Sequence, residues 1–195
     1  LVLAVDNSSN DNIITEESLQ LIRQWLNKDT YSEFYFEEYP MRHYFGIMFS
    51  DNTLSHNGVG EGYFSVKIRC DSPYSYSPAI TNQNIIEVQD KGLYYTLENK
   101  GDMILKPYIE LQKIGDGTIS IMNLTNGGQQ CIIQNLKNGE IIEIDSENED
   151  ISTNLDNVYH FDDHNDTWVN LPIGRNRLFF NGKSQIKLHY RYIYS

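Results

Sequence analysis

The stretch Arg177-Leu-Phe-Phe-Asn-Gly-Lys-Ser-Gln-Ile-Lys-Leu188 decides the reading of most of this chain. Leu178 and Phe180 share one face of an extended segment, Asn181-Gly182 interrupts it, and Ile186 and Leu188 share one face of the next. A two-residue period marks a strand. Asn-Gly is a type I′ hairpin signal, because both central residues of that turn must accept positive φ. The pattern recurs upstream. Asp116-Gly117 separates Ile109/Leu111 from Ile119/Ile121, and Asn138-Gly139 separates Ile132/Ile133 from Ile142/Ile144. Short strands at this spacing, with no helix among them, predict a β-sandwich or jelly roll. Pro107 lies inside Met103 to Gln112 and puts that strand at an edge or a bulge, since proline denies the ladder a donor.

The first part of the chain reads differently. Phe64, Val66, Ile68 and Cys70 alternate with Tyr63, Ser65, Lys67 and Arg69, which predicts one half-buried antiparallel strand over 63–70. His43 to Phe49 predicts another. A single helix over 15–28 is signalled by Thr15 as N-cap, Glu16 and Glu17 in the first turn, and Ile14 with Leu19 as a hydrophobic staple. Leu19, Ile22 and Leu26, with Trp25 beside them, give it an apolar face to pack on a sheet. Pro73 and Pro78 force extended backbone between the two regions. The expected division is therefore 1–78, an α+β part with one helix on antiparallel sheet, and 79–195, a β-sandwich. The fold class is mainly β. The opening Leu1-Val-Leu-Ala-Val5 reads as a strand entered midway, hence a fragment, and carries no basic-then-apolar leader.

Composition narrows the partners. Acids outnumber bases 27 to 15, for a formal charge of −12, whereas nucleic-acid affinity comes from Lys and Arg displacing counterions. No nucleic-acid partner is expected. No apolar run reaches the ~20 residues that span a bilayer, so no membrane insertion is expected either. Cys70 and Cys131 lie far apart, match no metal spacing and read as two buried thiols. That fits synthesis in a cytoplasm.

Reactive groups are poorly represented. The densest cluster runs from Tyr159 to Trp168 with His160, Asp162, Asp163, His164 and Asp166. Such residues can hold a divalent cation, but neither a glycine-anchored calcium loop nor a His-x-x-x-His spacing accompanies them. The preferred reading is a solvated loop facing water. Gly58, Gly60 and Gly62 are followed by no Lys-Ser/Thr and read as turn residues. No Gly-x-Ser-x-Gly surrounds a nucleophile. The sequence therefore predicts no enzyme, no catalytic residue, no metal and no cofactor. Its unusual feature is 14 tyrosines among 195 residues. Tyrosine gives rigid contact area with a polar tip. Most are assigned to sheet packing, with Tyr74, Tyr76, Tyr192 and Tyr194 as candidate interface residues. Trp168 is the candidate sugar-stacking residue if the sandwich instead serves as a carbohydrate-binding module.

Several phrases, in order, carry a family resemblance: Ile22-Arg-Gln-Trp-Leu26, Phe34-Tyr-Phe36, Tyr39-Pro40, His43-Tyr-Phe45, His56-Asn57, Gly62-Tyr-Phe64 and Arg69-Cys-Asp-Ser-Pro-Tyr74. Asn99-Lys-Gly-Asp102, Lys106-Pro107, Ile119-Ser-Ile-Met-Asn123, Gly139-Glu140, Ile144-Asp145, Trp168-Val-Asn-Leu171 and Gly174-Arg-Asn176 continue it. The chain resembles the distal tail proteins of siphophages, without the strands that precede Leu1 in that family. The resemblance implies an N-terminal domain that closes into a homo-oligomeric six-membered ring, and a galectin-like C-terminal sandwich. It further implies a structural virion component at the baseplate hub, in phage or prophage. Its partners would be tail-tube, tail-tip and receptor-binding proteins, with host cell-surface carbohydrate as the alternative ligand.

Overall fold

The computed structural model describes residues 2–4, 16–48, 53–56, 62–65, 67–82 and 84–195. The fold is mainly β and divides into two compact units, Leu1–Ser75 and Tyr76–Ser195.

In the first unit the chain runs β1 (Val2–Ala4), α1 (Glu16–Leu26), β2 (Ser32–Tyr35), β3 (His43–Met48), β4 (Thr53–His56), β5 (Gly62–Ser65) and β6 (Ile68–Cys70). The helix closes where its signals end, with the Asn27 N–H donating to the Arg23 carbonyl at 2.7 Å. Thr15, Ile14, Gly58, Gly60 and Phe49 lie outside the described residues. The single strand expected over 63–70 is two strands. β5 pairs antiparallel with β1 and β4, whereas β6 pairs with β3. Alternation reports an extended backbone but not which neighbour it bonds, so the change of sheet left no mark on the pattern. On β2 and β3, Phe34 stacks on Tyr44 at 5.5 Å, with the Phe36 ring edge-on to both. Aromatic packing of this kind accounts for several rings in the tyrosine-rich 31–45 stretch.

A short strand at the boundary, β7 (Ser75–Tyr76), precedes the second unit. That unit continues through β8 (Ile80–Thr81), β9 (Ile86–Val88), β10 (Leu93–Asn99), β11 (Tyr108–Lys113), β12 (Gly117–Asn123), β13 (Gln129–Leu136) and β14 (Ile141–Asp145). It ends with β15 (Asp150–Thr153), β16 (Gly174–Asn181), β17 (Ser184–Tyr190) and β18 (Ile193–Tyr194). One sheet has the order β10-β16-β12-β13. The other has the order β15-β14-β11-β17-β8, with β9 also on β17. Their inner faces supply the core: Ile119, Ile121, Ile133, Leu178 and Phe180 from the first, and Ile109, Leu111, Ile142, Ile144, Ile186 and Leu188 from the second. Each such buried side chain contributes roughly 1.5–3 kcal/mol through removal of apolar area from water.

The three glycine turns do not make hairpins. β11 and β12, β13 and β14, and β16 and β17 each lie in opposite sheets, so all three turns carry the chain across the sandwich. φ is positive at Gly117, Gly139 and Gly182 but at none of Asp116, Asn138 and Asn181, so none is type I′. Gly182 is required at its crossing: φ is +92°, and a Cβ there would collide with the Thr118 carbonyl. The real hairpins are β12–β13, turning through Gly127 and Gly128, and β14–β15, where Asp145 Oδ1 accepts from the N–H groups of Glu147 and Asn148 at 3.0 Å. Pro107 is also placed differently from expectation. It stands just ahead of β11, which is an interior strand bonded to both β14 and β17. The proline thus costs the ladder no donor.

Both groups of connections are tied down by buried polar side chains. The crossing turns are joined by Lys113, only 4% exposed, whose Nζ donates to the carbonyls of Ile114 and Lys183 at 3.0 and 3.3 Å. The Gly115 N–H also donates to Asn138 Oδ1 at 2.7 Å. Around the segments 100–105 and 170–174, three buried asparagines do the same. Asn99 Nδ2 donates to the carbonyls of Met103 and Leu171, and Asn176 Nδ2 to those of Pro172 and Gly174. Asn123 Nδ2 links them by donating to Asn170 O and Asn176 Oδ1. Replacing Asn176 with leucine keeps the volume and strands these groups in a dry interior, at about 1–3 kcal/mol for each orphaned group. Urea unfolding of N176L is expected to show a clearly lower midpoint at unchanged slope, whereas the exposed Asn181→Ser change should leave the midpoint within error.

Candidate functional site

The Tyr159–Trp168 loop is solvated only in part: Asp162 and Asp166 face water as its sequence implied, but His160 and His164 are buried. His160 is 3% exposed and sits between two carboxylates, with Nε2 2.7 Å from Glu140 Oε1 and Nδ1 3.0 Å from Asp163 Oδ2. Glu140, 1% exposed, also accepts from Thr153 Oγ1 at 2.6 Å and from the Lys137 N–H at 2.8 Å. Asp163 accepts from Asn135 Nδ2. Burial alone would push the His160 pKa down, but its bonds to Glu140 and Asp163 and their charges outweigh that and hold it above the ordinary imidazole value. Burial likewise opposes ionisation of Glu140, and the bonds from Thr153, Lys137 and His160 leave it below the ordinary carboxylate value. Asp163 is lowered by its bonds to Asn135 and His160. The cluster is an internal, charge-assisted clamp between β14, β15 and the loop. Nothing in the local sequence announced it, because its anchor Glu140 stands twenty residues before His160.

A second pair has the composition of a nucleophile and base. Cys131 Sγ lies 3.5 Å from His164 Nε2. Burial pushes the Cys131 thiol up to about 12 and lowers His164, so thiolate and imidazolium are both disfavoured. The same His164 nitrogen is 3.2 Å from the Thr167 carbonyl, and its ring packs on Trp168 at 4.5 Å. A neutral thiol beside a neutral ring is packing, not an activated nucleophile. Of the two cysteines, Cys131 is buried as expected but Cys70 is exposed, at the end of β6. Among the described residues no group of three or more His, Cys, Asp or Glu is placed to hold a metal ion. No helix among them is long and apolar enough to cross a membrane.

The aromatic candidates fall in several places. Trp168 is partly buried against the core, and Tyr192 also packs there while its hydroxyl donates to the Glu98 carbonyl at 3.0 Å. Tyr190, Tyr192 and Tyr194 form a ladder with ring centroids 5.6 and 6.5 Å apart. Ser77, next to Tyr76, exchanges two bonds with the Tyr192 backbone. Tyr74 is half-buried in the other unit. A shallow groove of about 550 Å³ is lined by β8, β9 and their loop together with Leu93, Tyr95 and Tyr190. Burial raises both phenols, Tyr190 to about 12. The most exposed rings of the second unit are ones the sequence did not single out: Tyr94, 59% exposed, and the Tyr159 and Phe161 that flank His160, 76% and 56% exposed. Strand alternation puts Tyr94 outward, but only the burial of His160 reveals the other two.

The clamp titrates at both ends. With His160 raised, its stabilisation is complete below the ordinary imidazole range and is lost as pH climbs through the raised value. With Glu140 and Asp163 lowered, theirs is complete above the ordinary carboxylate range and is lost as pH falls through the depressed values. Maximum resistance to urea is therefore expected between about pH 4.5 and about pH 6.5, the ordinary values of the two group types. His160→Phe should remove the alkaline limb and destabilise by about 3–5 kcal/mol, since it leaves Glu140 buried without its ionic partner. Urea midpoints of both chains across that range provide the check.

Comparison with known proteins follows the same two-unit division. Residues 2–72 match the phage tail protein N-terminal domain, and residues 74–190 match the phage tail C-terminal domain. The SPbeta prophage-derived protein YomH of Bacillus subtilis (strain 168) is 30% identical over 184 residues, which is 94% of this chain and 72% of that protein. The crystal structure of the Dit (gp 19.1) protein of phage SPP1 superposes with a TM-score of 0.66, covering 98% of this chain and 76% of that one, at 17% identity. That structure is described as a paradigm of the hub adsorption apparatus in phages infecting Gram-positive hosts. With both domain types matched in order and nearly the whole length aligned to a prophage relative, this chain belongs to the phage tail protein family, and it has the fold of a distal tail protein.

Proposed function

We propose that this chain is the distal tail protein of a long-tailed phage or prophage, the hub that joins the tail tube to the host-recognition apparatus. The observation carrying this is the fold match to SPP1 Dit, which runs through both units and leaves almost none of the chain outside it. In this reading the first domain, residues 1–78, builds a homo-oligomeric six-membered ring, and the second, residues 79–195, offers a docking surface to tail-tip or receptor-binding proteins. The protein is a non-enzymatic part of the virion, made in the bacterial cytoplasm. A ring repeats one heterologous contact until it closes, so each copy needs two different patches and no reactive groups. The internal titratable clusters accord with that: one is a clamp and the other is neutral. The carbohydrate-binding alternative has no comparable support, since its candidate Trp168 packs against the core.

Electron micrographs of the purified full-length protein are expected to show closed six-fold rings, and the protein should retain tail-tube and tail-tip proteins of its own phage on an affinity column. A strict monomer that retains neither would overturn the assignment.

A further inference from the structure

The four-stranded sheet of the second unit carries unlike patches at its two ends. At the β10–β16 end, register places Tyr94, Phe179 and Met122 in one row across the outer face. Tyr94 and Phe179 rings lie 4.8 Å apart, and the Arg177 guanidinium sits 4.6 Å from the Tyr94 ring centre. Phe179 is set firmly: Gly92 lies beneath it, and a Cβ there would come within 2.5 Å of the ring. Arg175 is exposed on the same face, one outward position along β16, opposite the exposed Glu98 of β10. A guanidinium held over an exposed ring is positioned to meet carboxylates while the ring supplies apolar contact.

At the other end, residues 160–165 run along the free side of β13. The Gln134 N–H donates to the Asp163 carbonyl at 3.0 Å, and the Asn165 N–H to the Ile132 carbonyl at 3.2 Å. The buried His160 fixes this segment and leaves Tyr159 and Phe161 in solvent on either side. The chain contains no Lys or Arg from Asn138 to Gly174, and Asp156, Asp162 and Asp166 accompany the two rings. One end is aromatic and carries two arginines against Glu98, the other is aromatic and anionic.

We propose that copies of this chain associate head to tail through the second unit, the Tyr94/Phe179/Arg177 patch of one copy receiving the Tyr159/Phe161 loop of the next. This rests on the ring reading given above and adds a second contact to it. Charge selects the occupant. A chain of net charge −12 repels its own copies over most of its surface. An aromatic row bearing two arginines is where another acidic copy can approach, and that copy carries the matching loop at the opposite end of the same sheet. Unlike patches at opposite ends produce a propagating, ring-forming contact instead of a closed pair.

The test uses the full chain in analytical ultracentrifugation over a concentration series, at low and high salt. The unaltered protein should self-associate, and raising salt should shrink the difference between it and the charge variants. Arg175→Glu with Arg177→Glu should weaken association by about tenfold or more, and Asp162→Arg with Asp166→Arg should do the same. The two variants mixed, or all four changes in one chain, should restore it. Tyr159→Ser with Phe161→Ser should reproduce the loss without altering charge, which guards against a misfolded arginine variant. If the variants assemble as well as the unaltered chain and six-fold rings persist, the contact proposed here is wrong and the ring assignment stands. If the unaltered chain never associates, both fall. Loss in the arginine variant without rescue by the charge-swapped partner would also overturn this contact, and would point to an acidic ligand other than a second copy.

Discussion

A backbone that leaves its sheet inside a dry interior takes its peptide N–H and C=O groups with it, and each must find a partner. The second unit meets that demand with asparagines. Asn99, Asn123 and Asn176 are almost wholly buried, and their amides bond segments that belong to neither sheet. Leu105 and Leu171, which bridge each other across this region, can enter the core only because those asparagines satisfy the surrounding main chain. Lys113 performs the equivalent task for the crossing turns, with its ammonium directed at carbonyls. The apolar interior supplies most of the stability. These four polar side chains decide that the sandwich closes in one way only.

Much of the core was legible in the sequence. Ile109/Leu111, Ile119/Ile121, Ile142/Ile144, Leu178/Phe180 and Ile186/Leu188 all sit inside, as their two-residue period implied. The connections were not legible. Asp116-Gly117, Asn138-Gly139 and Asn181-Gly182 carry the composition of hairpin turns, yet each leads to the opposite sheet. A short glycine turn reverses the chain in either case, and only long-range pairing tells a hairpin from a crossing. The true β12–β13 hairpin had its own signal in Asn126-Gly127-Gly128. In the first unit, the split between β5 and β6 was hidden for a similar reason: side-chain period is blind to a change of neighbour.

The functional residues were read less well than the fold. The Tyr159–Trp168 loop looked hydrated because it is crowded with acids and imidazoles, and its two buried histidines are revealed only by residues distant in sequence, Glu140 for His160 and Cys131 for His164. Family phrases located the chain among phage tail proteins, but they could not indicate that the most exposed rings of the second unit would be Tyr159, Tyr94 and Phe161. The structure also separates groups with suggestive chemistry from groups that can act. Cys131 and His164 touch, yet burial disfavours the charged form of both; Glu140, His160 and Asp163 are shifted toward their charged forms, yet Glu140 and His160 are sealed from solvent.

The position of β17 has a consequence for biosynthesis. This strand bonds β8, β9 and β11, so it holds its sheet together, yet it follows all three of these partners in the sequence. Synthesis must pass Tyr190 before that sheet can assemble, and the crossing turns give few local pairings to shelter the nascent isoleucines meanwhile. Such a topology favours late, non-local collapse. Premature termination even slightly upstream of residue 184 would therefore release a product unable to complete its sandwich and open to proteolysis.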